Sequence, residues 1–421
     1  MKKFILLFSI AVFLFSTGCV EKNYYDSEGL EETSIARTVS NNPVATFSFE
    51  QVTEMQKGTK MYLRVNRTGF SVEEHMIVFE GTLEDAGERL IVCKTLNGLK
   101  IGQGDSGSPI LTADGKVAGV LCYGFNANST QFIARAIEDV LSINNNNKSL
   151  NRNLNSNYYK IEPYFYMSGI TGDMPKYVKK GVNLVDIPVQ NNSLKSTSDK
   201  LSEPASLISG MSISASIIQG DVINYGAVGT ASYIKDEMIY AFGHPFMNKD
   251  PYGTPVFYAD MITLIESNGD YPSYKLSAPT DYFIGIIVED KTEGILITTD
   301  DEPSFIESQH NIDINNGDET YLVKHKISKQ EDIYYEIYYV CLTSAIAIDA
   351  YAPSNSYNYA SGTSTVVITF DDSDEITLIF TTYDTYDYDS EFFSWLDEQL
   401  YNNYYDKRIK DISINSKMTY E

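Results

Sequence analysis

The residues with the clearest chemical potential lie in "GQGDSGSPI", Gly102 to Ile110. Here Ser106 stands between Asp105 and Gly107, just ahead of Ser108-Pro109. A serine hydroxyl is a weak nucleophile until a base takes its proton and hydrogen-bond donors receive the oxyanion that forms. Gly104 and Gly107 let the backbone turn sharply and present the hydroxyl. In such a turn the amides of Gly104 and Ser106 can converge on one oxyanion, with the amide of Asp105 as a third candidate. The competing reading is a tight glycine-rich turn that holds a structural serine. Asp105 is expected to anchor the loop through hydrogen bonds rather than to move protons.

The base must come from four histidines, His75, His244, His310 and His325. His244 lies in "YAFGHPF", between Gly243 and Pro245 and directly after a strand-like run, where a ring is held rigidly. His75 opens a strand in "EEHMIVF", and His310 and His325 sit in polar stretches. His244 is therefore the candidate base for Ser106. A third group would orient the imidazole, and Asp250 and Asp260, both downstream of His244, are the candidates.

These residues must be positioned by strands. "MIVFEGTL" and "RLIVCKTL" are apolar runs separated by the turn-like "EDAGE". "PILTADGKVAGVLCYGF" is two runs around Asp114-Gly115, a hairpin signal. "FIARAIEDVL" reads as a short helix with Ile133, Ile137, Val140 and Leu141 on one face. Further strands are expected across 210–246 and 283–299, and in "TSTVVITF" and "EITLIFTTY". One clear helix is expected in "DSEFFSWLDEQLYNN". Asp389 or Ser390 would cap it, with Phe392, Trp395, Leu396 and Leu400 facing a sheet. No internal repeat is visible.

The chain has 421 residues, enough for two or three domains, and 43% of them are apolar, enough for substantial cores. Its 32 tyrosines against one tryptophan favour strands. A net charge of −25, from 32 basic and 57 acidic residues, argues against nucleic acid as a partner and against a basic membrane patch. No zinc spacing, calcium loop, P-loop or dinucleotide fingerprint is present, so neither metal nor cofactor is expected.

"MKKFILLFSIAVFLFSTGC" has the form of a secretory signal peptide. Ser16-Thr17-Gly18 before Cys19 resembles the bacterial lipoprotein processing site, which implies a lipidated Cys19 and an exported chain anchored to a bacterial membrane. An ordinary signal peptide is the alternative. No later segment reaches spanning length. Cys93, Cys122 and Cys341 remain, and either a Cys93–Cys122 bridge or buried thiols is compatible with the sequence. The resulting plan is 1–18 signal peptide, 19–42 lipidated tether, 43–142 serine-bearing β unit and 143–180 Asn-rich connector. It continues with 181–305 as the histidine-bearing β unit and 306–421 as a C-terminal α/β region.

The pair "GQGDSGSPILTADGKVAGVLCYGF" and "GAVGTASYIKDEMIYAFGHPF" resembles the sporulation factor IV B serine peptidase family. Its members carry a Gly-x-Ser-Gly-Ser-Pro motif, a following "DGK-x-x-G" hairpin, and a Gly-Thr strand leading to a Gly-His turn. "SYKLS" (273–277) and "IIVEDKTEGIL" extend the resemblance over most of the mature chain. It implies Ser106 as nucleophile and His244 as base, in the order found in longer envelope-type members. The sporulation protease itself has the histidine first. The chain departs from the family in three ways. Asp105 replaces a residue such as methionine, the family's acid falls near Ile91, and no PDZ peptide-binding loop is recognisable. The expected fold is mostly β with some α, a chymotrypsin-like double β-barrel module followed by the α/β region. The expected substrate is an envelope protein or peptide, or the chain itself. An inactive peptidase-fold lipoprotein serving as an interaction scaffold is the alternative function, and a structural envelope lipoprotein is a third.

Overall fold

The computed structural model describes residues 36–420 except 86, 97, 126–129, 145–158, 162–163, 169–183, 187–202, 248–252, 267–272, 316, 352–359 and 386. Cys19, the signal segment, Asp250 and most of the Asn-rich connector therefore lie outside the described residues. Strand accounts for 56% and helix for 16%, which makes the chain mostly β with some α.

The first sheet begins with β1 (Arg37–Val39), followed by the short helix α1 (Phe49–Thr53). The next strands are β2 (Lys60–Thr68), β3 (Ser71–Asp85), β4 (Glu88–Thr95), β5 (Pro109–Leu111), β6 (Val117–Gly124) and β7 (Gln131–Ala136). These six close into an antiparallel ring in the order β2-β3-β4-β7-β6-β5 and back to β2. Closure pairs each of the six strands on both sides. β8 (Tyr159–Lys160) pairs with the outside of the ring along β6. The Asp114-Gly115 hairpin forms as the sequence suggests, with Gly115 at φ 82°. "FIARAIEDVL" differs from expectation. Its first half is strand β7, and only Ile137–Leu141 forms helix α2. The apolar run had equal claim to either period, and pairing with β4 and β6 decided it.

β9 (Tyr164–Ser168) and β10 (Leu184–Asp186) lead into the second sheet. Its central strands are β11 (Ser212–Gly220), β12 (Asn224–Lys235), β13 (Met238–Ala241), β14 (Pro255–Ile265), β15 (Tyr274–Lys291) and β16 (Gly294–Thr298). They too close antiparallel, in the order β11-β12-β13-β16-β15-β14 and back to β11. Numbering each set of six by chain order gives the same connectivity, 1-2-3-6-5-4, for both rings. The repeat invisible in sequence is present in topology.

β6 explains how the rings pack. All eight of its residues are buried, because both faces are covered. Ala118 and Leu121 enter the core of the first ring. Val117 and Val120 join Val140 and Ile143 against Tyr233, Tyr240 and Leu296 of the second. Each such apolar side chain contributes about 1.5–3 kcal/mol on burial.

β11 also pairs with β18, which carries the sheet past the second ring. The extension comprises β17 (Phe305–Ile314), β18 (Glu319–Ser328), β19 (Ala360–Phe370), β20 (Glu375–Thr385) and β21 (Ile409–Tyr420). The C-terminal region thus shares a sheet with the histidine-bearing unit. Helices α3 (Ile333–Tyr351) and α4 (Tyr388–Tyr404) belong to the same core. The expected helix α4 begins one residue before Asp389, with Asp387 at its N-cap position, and buries Phe392, Leu396 and Leu400. α3 was not expected. Its sequence is apolar around most of its circumference, so it shows no helical stripe, and it is buried accordingly.

Candidate functional site

Ser106 and His244 occupy equivalent connections. Each lies between the third and fourth strands of its ring, Ser106 after β4 and His244 after β13. The two connections meet through glycines. A Cβ on Gly107 would stand 2.7 Å from the Phe242 nitrogen and 2.2 Å from the Thr230 carbonyl oxygen. A Cβ on Gly243 would stand 3.4 Å from the Gly107 nitrogen and 2.8 Å from the Leu121 carbonyl oxygen. Only glycine allows so close an approach, and φ is 94° at Gly107 and 69° at Gly243.

Thr230 of β12 joins both halves. Its amide donates to the Ser106 carbonyl at 3.0 Å, and its hydroxyl donates to the Gly104 carbonyl at 2.8 Å. Its own carbonyl accepts from the Phe242 amide at 3.1 Å. Phe242 adopts φ 69°, an uncommon backbone for a bulky residue. Its ring fills the space where Gly229 lacks a side chain. The Gly-Thr pair of the sequence thus has a physical reason at each position.

The serine loop is arranged around a buried charge. Asp105 is fully buried and accepts from Arg67 at 2.7 Å and 3.0 Å, from the Gly102 amide at 3.0 Å, and pairs with Lys275 at 3.2 Å. Burial alone would raise its carboxyl, but Arg67 and then Lys275 outweigh burial and hold it below the ordinary carboxylate range. Asp105 anchors the loop, as the sequence suggests. Lys275, fully buried at the start of β15, also donates to the hydroxyls of Thr230 at 3.0 Å and Ser212 at 3.3 Å. Burial pulls its ammonium down to about 8, against the attraction of Asp105.

The candidate oxyanion donors separate into two kinds. The Asp105 amide already donates to the Gly102 carbonyl at 3.1 Å, so Asp105 is not available for an oxyanion. The amides of Gly104 and Ser106 make no hydrogen bond among the described residues. Gly104, at φ 84°, lies against the Lys275 side chain, with a position for Cβ 3.2 Å from the lysine Cβ. Ser106 is fully buried, and its hydroxyl has no hydrogen-bond partner among the described residues.

His244 is buried, and its Nδ1 lies 2.8 Å from the Pro245 carbonyl oxygen. A carbonyl can only accept, so Nδ1 carries the proton and Nε2 is the basic nitrogen. The turn that carries His244 is held from both sides. Arg135 of β7, fully buried, donates to the Gly243 carbonyl at 2.6 Å and the Thr292 carbonyl at 2.8 Å. Asp290 of β15 accepts from the amides of Phe246 and Met247, both at 2.7 Å.

The other candidates lie on other elements. Asp260 is buried on β14 opposite Ala278, three strands from β13 either way around the ring. His75 pairs with Glu73 at 2.9 Å. His310 and His325 are buried despite their polar stretches, and His310 Nε2 lies 2.8 Å from the Ser416 hydroxyl. Both are buried inward-facing strand residues, and burial lowers them to about 3 and about 4. Cys93, Cys122 and Cys341 are free, buried thiols, so no Cys93–Cys122 bridge forms. Among the described residues no cluster of three or more metal-ligating side chains occurs.

Sequence reasoning did not find Arg67, Arg135, Lys275 or Asp290. The signal for Arg135 was an arginine inside the otherwise apolar "FIARAI", since a charge in a buried strand demands a partner. Lys275 in "SYKLS" and Asp290 in "IIVEDK" lay within stretches already noted for their family resemblance. No family model matches the chain, and no curated protein matches it.

Proposed function

We propose that the chain is a serine peptidase of the bacterial cell envelope, with a chymotrypsin-like pair of barrels and resembling the sporulation factor IV B family. The observation that carries this reading is the meeting of equivalent loops from two like-connected rings, one bearing Ser106 and the other His244. The unengaged amides of Gly104 and Ser106 support it further.

In this reading Ser106 Oγ attacks the scissile carbonyl as His244 Nε2 takes its proton. The amides of Gly104 and Ser106 receive the oxyanion, and the imidazolium returns the proton to the leaving amine. Water then attacks the acyl-enzyme through the same base. The Pro245 carbonyl fixes the tautomer that a triad carboxylate would otherwise fix. It brings no full negative charge to the imidazolium, so catalysis would be slower than in a complete triad. The substrate would be an envelope protein or peptide, or a copy of the chain, reached from a lipid anchor at Cys19. No cofactor enters the chemistry.

A second reading, an inactive peptidase-fold scaffold, is favoured by one observation. Ser106 is fully buried, so substrate can reach it only if the surrounding loops move. Labelling of the full-length protein with a fluorophosphonate serine probe separates the two. The peptidase reading expects labelling that is lost in Ser106→Ala and His244→Ala. No labelling of a folded wild type supports the scaffold.

A further inference from the structure

The His244 turn is built from both barrels. Arg135 belongs to the ring that carries Ser106, yet its guanidinium crosses to the other ring and binds the carbonyl immediately before His244. The same guanidinium binds the Thr292 carbonyl, in the turn between β15 and β16. It is held in place by Glu88 at 3.0 Å and the Tyr123 hydroxyl at 3.0 Å, all three side chains being buried. From the opposite side Asp290 takes the amides two and three residues after His244. Two buried charges from two barrels therefore hold the turn that carries the imidazole, along a stretch of five residues, Gly243 to Met247.

The geometry points to Arg135 and Asp290 as positioning residues that set the His244 ring relative to Ser106, an inference that rests on the serine peptidase reading. Arg135 fixes where the turn begins and ties it to the serine-bearing barrel. Asp290 fixes where the turn ends. Both act on the backbone of the turn.

The test uses the full-length protein with ring-labelled histidines, whose four signals are assigned by single substitution. Asp290→Asn keeps the side-chain shape and removes the charge; Arg135→Lys keeps the charge and removes the fork that reaches two carbonyls. The inference expects both folded variants to shift the His244 ring signal while His75 stays in place. Each variant should slow fluorophosphonate labelling of Ser106 by about tenfold or more. A His244 ring signal unchanged in Asp290→Asn, with labelling at the wild-type rate, overturns it, whatever happens to thermal stability. If Arg135→Lys does not fold, Asp290→Asn decides alone, and Tyr123→Phe, which removes one hydroxyl from the guanidinium's cage, stands in for the arginine. If the wild type is not labelled, the peptidase reading fails, while the His244 signals still judge the positioning.

Discussion

Gly107 and Gly243 face each other across the two barrels so closely that the Gly107 nitrogen lies 3.4 Å from where a Cβ on Gly243 would stand. One follows Ser106 and the other precedes His244. Any side chain at either position must push the two loops apart. Gly107→Ala faces both the contact with Thr230 and a positive φ, and is expected to cost about 2–4 kcal/mol of stability. Denaturant unfolding measures this, and a loss well below 1 kcal/mol would show that the loops do not rely on the contact.

The buried Asp105 is balanced by Arg67 and Lys275. Asp105→Asn keeps the shape but leaves two cations short of their carboxylate, one of them fully buried. Breaking a buried pair from one side costs about 3–5 kcal/mol, so a large fall in the unfolding midpoint is expected. A midpoint equal to wild type would remove Asp105 as the anchor of the serine loop.

The thiols make a chemical prediction. Burial pushes Cys122 up to about 12, and burial likewise raises Cys93 and Cys341. Alkylation followed by peptide mapping should find all three unmodified in the native protein, modified after denaturation without reductant, and none in a disulfide. Recovery of a Cys93–Cys122 peptide pair would contradict the structure.

His310 and His325 make the extension of the second sheet sensitive to acid. Burial lowers both from 6.5, to about 3 and about 4, with His325 adding to the effect on His310 and Asp221 opposing it for His325. The unfolded chain takes up these protons near its ordinary value, while the folded chain resists until far lower pH. Between pH 6.5 and about 4 the unfolded state therefore binds more protons, and stability falls as pH falls. Each histidine contributes up to about 1.4 kcal/mol per pH unit. Asp389, raised to about 6 by burial and by Asp349, works in the opposite direction over part of this range. The informative quantity is thus a difference. His310→Gln should flatten the slope of stability against pH between 6 and 4 by roughly one proton's worth. An unchanged slope would place the His310 titration elsewhere.

Much of the site was legible because its constraints are local. Gly104, Gly107 and Gly243 are demanded by turns and close approaches, and such demands appear directly as residue type. His244 between glycine and proline was legible for the same reason. The two rings were legible only as β-rich units, since identical strand connectivity needs no shared sequence. Helix α3 was hidden by burial on most sides, which erased the periodicity that marks α4. The partners of Asp105 and of the His244 turn were legible at most as charges in apolar or noted stretches, not as partners. Arg67, Lys275, Arg135 and Asp290 reach them through chain closure, and the spacing of residues along the sequence carries no record of that closure.

The central claim is that Ser106 is an activated nucleophile served by His244. The most direct measurement is the rate and the place of fluorophosphonate modification in the full-length protein, read by peptide-resolved mass spectrometry. The account expects a single modified peptide with the adduct on Ser106, formed slowly because the hydroxyl is buried, and formed at least a hundredfold more slowly in His244→Ala. Modification of Ser106 at the same rate with and without His244, or no adduct on a folded wild type, would contradict it.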